Sequence, residues 1–228
     1  MKIIVNADDL GYSSEVNDAI FAFIKSGDVT SATLMANGNA INEAIESLQK
    51  YPQASFGIHL NLTEFISLSK SKVMQERGVV DDNGIFTAKI REAAPDKLLK
   101  KAIFEELEMQ LKKLIDMGVK VSHFDSHHHI HTIQWLFPVI KKLQKKYKIR
   151  KVRNTLNLYP ENENPGMKSL LMKSIWTLMM KYYYFSRMTN YFSFFEWFIQ
   201  DGLSEKLTVN KTIELMCHPG SPNYNKES

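Results

Sequence analysis

The chain has 228 residues and a formal net charge of +4 at pH 7, with 44% hydrophobic and 24% charged residues. This composition is typical of a soluble globular protein, and we expect residues 1–228 to form a single domain that binds neither nucleic acid nor a membrane. The one cysteine, Cys217, excludes a disulfide within the chain, and the N-terminal apolar run is too short for a signal peptide. We therefore expect a cytoplasmic protein.

Apolar periodicity predicts strands and helices in alternation along most of the chain. In chain order these are a strand at 2–7, a helix that Ser13 or Ser14 caps and Gly27 ends, a strand at 31–36, a helix over 41–48, a strand at 55–62, a helix over 96–117, a strand at 119–125, a helix over 133–147, and strands at 151–154 and 212–217.

Two stretches interrupt the alternation, at residues 63–95 and 155–205. The first contains the turn signal of residues 81–84 (Asp-Asp-Asn-Gly), which predicts a small hairpin. The second begins with a loop at 160–166 and continues through an aromatic segment, residues 169–198, which we interpret as one or two helices packed on the core. A polar tail follows at 221–228.

The strand-then-helix order predicts an α/β fold with parallel strands and helices outside them. Two architectures satisfy this order, a (β/α) barrel and an open doubly wound sheet. The two interruptions indicate that a barrel would be distorted, with fewer than eight regular units. The pattern by itself does not choose between the two architectures.

Titratable side chains stand at the ends of four predicted strands. Asp8 and Asp9 follow the first strand, and His59 lies near the end of the third. His127 opens the run His-His-His-Ile-His after the fourth, and His218 follows the last. Parallel strands of a barrel build their active site at the carboxyl-terminal rim, so these segments are expected to converge.

Each of these features also has a plainer explanation. Asp8 and Asp9 suit a turn or a helix cap, and His59 suits a hydrogen-bonded histidine of the core. The histidine run suits a packed or surface segment, and His218 suits a turn before a proline. The shared position of the features favours a site, within which we expect His127 and His129 to point to the same side.

Histidines with one carboxylate and open positions suit zinc or another divalent metal. Such an ion polarises an amide carbonyl and lowers the pKa of a bound water. Asp8 then fits a general base and His218 an acid that protonates the leaving amine. The sequence lacks a phosphate-binding glycine loop and a Gly-x-Ser-x-Gly nucleophile motif. Cys217 and His218 are strand neighbours that face apart, which disfavours a thiol nucleophile.

Four segments together resemble the YdjC-like carbohydrate deacetylases, a family that includes a chitooligosaccharide deacetylase. The resemblance runs in order over nearly the whole chain. It rests on residues 5–11 (Val-Asn-Ala-Asp-Asp-Leu-Gly), 57–63 (Gly-Ile-His-Leu-Asn-Leu-Thr), 125–131 (Asp-Ser-His-His-His-Ile-His) and 216–219 (Met-Cys-His-Pro).

The resemblance implies a TIM-barrel-like (β/α) fold related to the polysaccharide deacetylases, and a hydrolase that removes acetyl groups from N-acetylated sugars. It implies one divalent ion, magnesium or zinc, held by Asp9, His59 and His127. It also implies that Asp8 is the base and His218 the acid. On this basis the aromatic segment has a second interpretation, as a lid that stacks on the sugar.

Several expectations stay open beside this interpretation. Asp125 is a candidate to orient a metal ligand, and Arg153 either forms a structural salt bridge or orients Asp8. Family members often form homodimers, and they continue through another helix and strand, so we expect this barrel to lack its last element. The competing functions are a catalytically silent metal- or sugar-binding relative and a metal phosphoesterase.

Overall fold

The computed structural model of the protein describes residues 1–159, 166–183, 185–200 and 210–221. Residues 160–165 of the predicted loop and nearly all of the predicted tail lie outside these ranges. Within the described residues, seven strands form one sheet in the order β5-β4-β3-β2-β1-β7-β6, and every neighbouring pair is parallel. The strands are β1 (Lys2–Leu10), β2 (Ser31–Leu34), β3 (Ser55–Leu60), β4 (His123–Ser126), β5 (Lys151–Val152), β6 (Tyr191–Phe194) and β7 (Thr212–Cys217).

The sheet curls so that its two edges approach each other. Isolated parallel bridges join Lys151 to Arg187 and Asn157 to Phe192, which connects the β5 side with the β6 side. The predicted distorted barrel with fewer than eight regular units is therefore confirmed. The carboxyl ends of the strands meet at one rim, as parallel pairing requires.

Helices flank this sheet, and those at residues 14–26, 97–116 and 137–147 bury apolar side chains in the core, whereas the one at 167–178 has no buried residue. They are α1 (Ser14–Ser26), α2 (Ile41–Ser47), α3 (Lys72–Glu76), α4 (Lys97–Asp116), α5 (Phe137–Tyr147), α6 (Met167–Leu178) and α7 (Phe195–Gln200), with 3-10 turns at Leu48–Lys50, Lys89–Arg91 and His127–Thr132 and a π turn at Met179–Tyr183. No helix in the described part of the chain is both long and apolar enough to cross a lipid bilayer.

The helix ends follow the predicted capping chemistry. Ser13 caps α1, and its hydroxyl accepts a hydrogen bond from the backbone N–H of Val16 at 3.3 Å. Gly27 ends α1 with φ 90°, a left-handed conformation that glycine adopts without steric cost. Asp96 caps α4 by accepting from the N–H of Leu99 at 2.7 Å.

The first interruption folds as a compact excursion on α4. Antiparallel bridges join Ile66 to Ile85 and Val80 to Phe86, which confirms the predicted hairpin. The buried carboxylate of Glu106 on α4 accepts from the backbone N–H groups at 68 and 69, at 3.1 and 2.7 Å. This contact fixes the start of the excursion, the segment that brings Glu64 to the rim.

Several elements differ from the sequence prediction. Strand β1 runs on to Leu10 and so includes Asp8 and Asp9, β5 ends at Val152 rather than at residue 154, and α3 was not predicted. Residues 191–194, predicted as helix, form β6, because their backbone pairs with β7. The fourth strand begins at His123 rather than at residue 119, since only residues 123–126 pair in the sheet. Helix α5 begins at Phe137 rather than near residue 133, because the histidine run first makes a 3-10 turn.

Candidate active site

Three side chains at the rim converge on one point. Asp9 Oδ1 lies 3.1 Å from His59 Nε2 and 2.9 Å from His127 Nδ1, and all three residues are buried. Their ligand atoms lie within 4.8 Å of one another. Despite these short distances, Asp9 Oδ1 forms no hydrogen bond of good geometry with any residue in the described ranges. A carboxylate oxygen and two imidazole nitrogens that face one another in this way match the ligand set of a divalent metal.

The backbone of β1 separates the two adjacent carboxylates. The register of β1 against β2 shifts between Ala7 and Leu10, and Asp9 has φ 67°, a left-handed conformation that aspartate tolerates better than most residues. Asp9 therefore turns toward His59 and His127, whereas Asp8 turns toward Arg153. The prediction that the two carboxylates face different groups agrees with this geometry.

Asp125 orients His59 from the neighbouring strand. The two residues are register partners in β3 and β4, and His59 Nδ1 lies 2.7 Å from Asp125 Oδ1. This contact leaves Nε2 of the imidazole toward Asp9. Burial lowers the pKa of His59, but the nearby carboxylates, Asp125 first among them, outweigh burial and raise the pKa to about 10. The surroundings therefore favour positive charge on this ring.

The histidine run does not continue as a strand. His128 and His129 both have left-handed φ, 47° and 52°, so the chain turns sharply after His127. Only His127 joins Asp9, while the ring of His129 packs edge-on against Phe192, with the ring centres 5.9 Å apart. The expectation that His127 and His129 share one side is therefore wrong, because it assumed extended backbone.

Asp8 is held by a guanidinium. Arg153 Nη1 and Nη2 donate to the two oxygens of Asp8, both at 2.6 Å, and Asn6 Nδ2 donates to Oδ1 at 2.9 Å. Burial raises the pKa of Asp8, but Arg153 outweighs burial and holds the pKa far below its usual range. His218 Nε2 stands 3.9 Å from Asp8 Oδ2, so the proposed base and acid are neighbours.

Arg153 binds more than one carboxylate. Besides Asp8, its Nη2 lies 2.7 Å from Asp125 Oδ2, and its Nε donates to Glu214 Oε1 at 2.7 Å. Both roles considered for Arg153, an ion pair and the orientation of Asp8, are thus present. Asp8, Asp125 and Glu214 are all buried around this one buried guanidinium. Asp125 and Asp8 also raise the pKa of His59, so its imidazole helps to balance their charge.

Two acidic residues of this region were not predicted from the sequence. Glu64 Oε1 lies 3.6 Å from His127 Nε2, and Glu64 also raises the pKa of Tyr12, after burial, to about 12. Glu214 faces the barrel interior from β7. Glu64 could have been predicted from the sequence, because it lies shortly after the third strand. Nothing in the sequence of β7 distinguishes Glu214 as a site residue.

A cavity of about 340 Å³ lies at the end of the histidine run, and none of the five predicted site residues lines it. His129 and Phe192 line it on the side of the site, and the ring of Phe192 lies 5.1 Å from the guanidinium carbon of Arg153. Trp176 of α6 lines it as well, together with the polar side chains of Arg91, Asn154 and Asn157. Aromatic faces beside amide and guanidinium groups suit a polar ligand with apolar ring faces.

The chain is similar to proteins of one known family. The family model described as YdjC-like protein matches residues 2–228. The chain belongs to the YdjC-like family. A carbohydrate deacetylase of Oceanobacillus iheyensis is 32% identical over 225 residues, which cover 96% of this chain and 86% of the relative. A carbohydrate deacetylase of Halalkalibacterium halodurans is 33% identical over 228 residues, covering 96% of this chain and 85% of the relative.

A solved structure shows the same fold at lower identity. The crystal structure of a candidate cellobiose-phosphate cleavage protein of Enterococcus faecalis superimposes with a TM-score of 0.71 at 24% identity, over 96% of this chain and 80% of that one. The family model and the two carbohydrate deacetylases confirm the family predicted from the four sequence segments. In this YdjC-like chain, those segments supply all five predicted site residues, and each segment lies at the same rim.

Proposed function

We propose that this YdjC-like protein is a metal-dependent hydrolase that removes acetyl groups from N-acetylated sugars such as chitooligosaccharides. The observation that carries the proposal is the convergence of Asp9, His59 and His127, with Asp8 and His218 beside them. The relatives named carbohydrate deacetylase support the reaction class. The finer assignment of substrate and metal rests on chemistry and on the family resemblance.

The residues present fit one divalent ion. Asp9 Oδ1, His59 Nε2 and His127 Nδ1 would hold it, and the buried Asp9 oxygen that lacks a well-formed hydrogen bond would gain a partner. Two nitrogens and one oxygen suit zinc, and the carboxylate-rich surroundings also suit magnesium. Such an ion supplies Lewis acidity, which polarises the amide carbonyl and makes a water molecule more acidic.

In the proposed reaction, Asp8 accepts a proton from the attacking water as a C–O bond forms at the acetyl carbon. His218 then donates a proton to the sugar nitrogen as the C–N bond breaks, giving acetate and an amine. The 3.9 Å between Asp8 Oδ2 and His218 Nε2 allows the proton to pass from one residue to the other with little movement. Arg153 keeps Asp8 ionised and fixes its orientation.

The cavity lined by His129, Phe192 and Trp176 is the proposed place for the sugar. Phe192 and Trp176 would pack on the apolar faces of sugar rings, and Asn157 would bind hydroxyl groups. This use of Trp176 and Phe192 favours a substrate-binding role for part of the aromatic segment. Other members of the segment, such as Tyr182, are exposed on the surface.

The test is release of acetate from diacetylchitobiose by the purified protein. Parallel reactions contain EDTA, added magnesium, zinc or cobalt, and the variants Asp8→Asn and Asp18→Asn. Asp18 is an exposed residue of α1, so its variant matches the charge change away from the site. We expect release that EDTA and Asp8→Asn abolish and that Asp18→Asn leaves unchanged.

The same experiment separates the competing functions. A folded protein that binds metal but releases no acetate from any N-acetylated sugar tested would indicate the catalytically silent relative and would overturn the proposal. Hydrolysis of a phosphate ester instead of the amide would indicate the phosphoesterase. The site favours the deacetylase, because one Asp-His-His group would hold one ion.

A further inference from the structure

His131, the last residue of the histidine run, has no part in the proposed reaction, although it lines the cavity proposed for the sugar. The residue is only 4% exposed. One ring nitrogen, Nδ1, lies 2.5 Å from the hydroxyl oxygen of Ser126. The other, Nε2, is buried and has no hydrogen-bond partner among the described residues. A buried polar atom without a partner costs free energy, so the orientation of this ring calls for an explanation.

The contacts of Ser126 indicate which nitrogen of His131 carries the proton. The Ser126 hydroxyl oxygen accepts a hydrogen bond from the backbone N–H of His131 at 3.0 Å. Within the described part of the chain, Nδ1 of the same residue is the acceptor that remains for the hydroxyl hydrogen. Burial lowers the pKa of His131 well below its usual range, so the ring is neutral. A neutral imidazole that accepts at Nδ1 donates at Nε2.

The donor at Nε2 lies beside a fixed aromatic wall. Because Nδ1 is bound to Ser126, the opposite edge of the ring, which carries Nε2, is left toward the cavity. Trp176 lines the same cavity, and its indole N–H donates to the backbone carbonyl of Thr132 at 3.0 Å. The Trp176 ring also stacks on Phe137, with the ring centres 4.6 Å apart. Hydroxyl and ring oxygens of a sugar accept hydrogen bonds, while its apolar faces pack on aromatic rings.

The other charged residues of the cavity favour a ligand with oxygen acceptors as well. Arg91 and Lys173 line it, and none of its lining residues in the described ranges is acidic. The simplest explanation of His131 is that it only fixes the turn through Ser126. That explanation accounts for Nδ1, but it leaves the buried donor at Nε2 without a purpose.

We propose that His131 is a substrate-binding residue whose Nε2–H donates a hydrogen bond to an oxygen of the sugar in this cavity. The inference rests on the proposed function for the class of ligand. It assigns His131 a contact with the sugar that is separate from the metal ligands and from the acid–base pair. Sugar binding should therefore depend on His131 even when no hydrolysis takes place.

The test is calorimetric titration of the full chain with diacetylchitobiose, in EDTA so that metal-dependent hydrolysis does not contribute. Three substitutions of His131 are compared with the wild type. His131→Gln brings an amide N–H near the position of Nε2 but loses the bond to Ser126. His131→Asn keeps a group that can bind Ser126 but has no atom that reaches the position of Nε2. His131→Met has nearly the volume of glutamine and provides neither group.

We expect saturable binding within about threefold of the wild type in His131→Gln, and about tenfold weaker binding in His131→Asn and His131→Met. A merely structural role predicts the opposite order, with His131→Asn like the wild type and His131→Gln impaired. Thermal unfolding verifies that each variant is folded, and the comparison of His131→Asn with the wild type suffices if the other two are not.

The opposite order, equal binding in all variants, or no saturable binding to the wild type up to about 50 mM sugar would overturn the proposal. Acetate release by the metal-loaded wild type is measured separately. Sugar binding that depends on His131 without any acetate release would overturn the proposed function and support this inference, so the two failures are distinguishable.

Discussion

Two adjacent carboxylates, Asp8 and Asp9, have opposite surroundings. Asp8 accepts hydrogen bonds on both oxygens from Arg153, with a further one from Asn6. Asp9 faces two imidazole nitrogens, but its buried Oδ1 forms no well-shaped hydrogen bond within the described part of the chain. Asp8 thus has hydrogen-bond partners on both oxygens in the protein alone, whereas Asp9 Oδ1 has none of good geometry.

This difference indicates that the two neighbouring residues have different roles. Under the proposed function, Asp9 would hold a metal ion together with His59 and His127. Asp8 would accept a proton, with Arg153 and His218 beside it. A shift in the backbone of β1 and a left-handed Asp9 create the difference, because they turn two neighbouring side chains toward different partners. Variants of the two residues should therefore fail in different ways.

The largest effect is expected for Asp9→Asn. Loss of a charged ligand should abolish stoichiometric binding of zinc or magnesium and reduce acetate release at least about a thousandfold, since the ion contributes several kcal/mol to catalysis. Metal content by mass spectrometry and acetate release measure the two losses together. Asp18→Asn should change neither. Full metal content in Asp9→Asn would show that the ion binds elsewhere.

Asp8→Asn should separate chemistry from metal binding. Acetate release should fall by about 10²- to 10⁴-fold, which is the usual contribution of a general base, while metal content stays at the wild-type level. Equal loss of metal and of activity in this variant would contradict the proposed division between the two carboxylates. Activity near that of the wild type would remove Asp8 from the base role.

Arg153→Met should lower stability more than any surface change. The variant leaves three carboxylates, Asp8, Asp125 and Glu214, buried without their shared guanidinium, and loss of one buried partner typically costs about 3–5 kcal/mol of unfolding free energy. Urea denaturation measures this cost. Arg77→Met, which removes an exposed ion pair with Asp96, should cost less than about 1 kcal/mol and serves as the control. Similar costs for the two variants would contradict the assignment.

The smallest effect is expected for Glu64→Gln. Glu64 is partly exposed and contacts His127 at 3.6 Å through the nitrogen opposite to the one that faces Asp9. Its amide variant should lower metal affinity by about tenfold or less, with activity restored at high metal concentration, as for a group that supports a ligand. A loss that excess metal does not restore would instead make Glu64 part of the catalytic machinery.

The sequence was sufficient for the parts of the fold that local chemistry controls. Ser13 and Gly27 cap α1 where predicted, because capping depends on neighbouring residues only. Strand β7 has the predicted bounds, 212–217. Strand β6 was missed because its apolar residues continue an aromatic segment with no change of pattern, and only pairing with β7 makes them a strand.

The candidate site was predicted with similar limits. Five site residues could be predicted because they lie at strand ends, and parallel strands bring their carboxyl ends to one rim. They are Asp8, Asp9, His59, His127 and His218. Backbone conformation was not readable from the sequence, so the left-handed His128 and His129, which direct His129 toward Phe192, were not foreseen. Glu214 was missed because an inward-facing glutamate becomes plausible only when its partner, Arg153, is known to be buried beside it.

The most direct test of the division between the carboxylates is the position of the metal in a crystal of the zinc- or cobalt-loaded protein, located by anomalous scattering. Among the described residues, three groups could compete for the ion: Asp9 with His59 and His127, Glu64 with His127 and His128, and Asp8 with His59 and Asp125. We predict one anomalous peak within bonding distance of Asp9, His59 and His127, with Asp8 still bound to Arg153. A peak within bonding distance of Asp8 and Asp125, or of Glu64 and His128 but not Asp9, would contradict the proposed roles of Asp8 and Asp9.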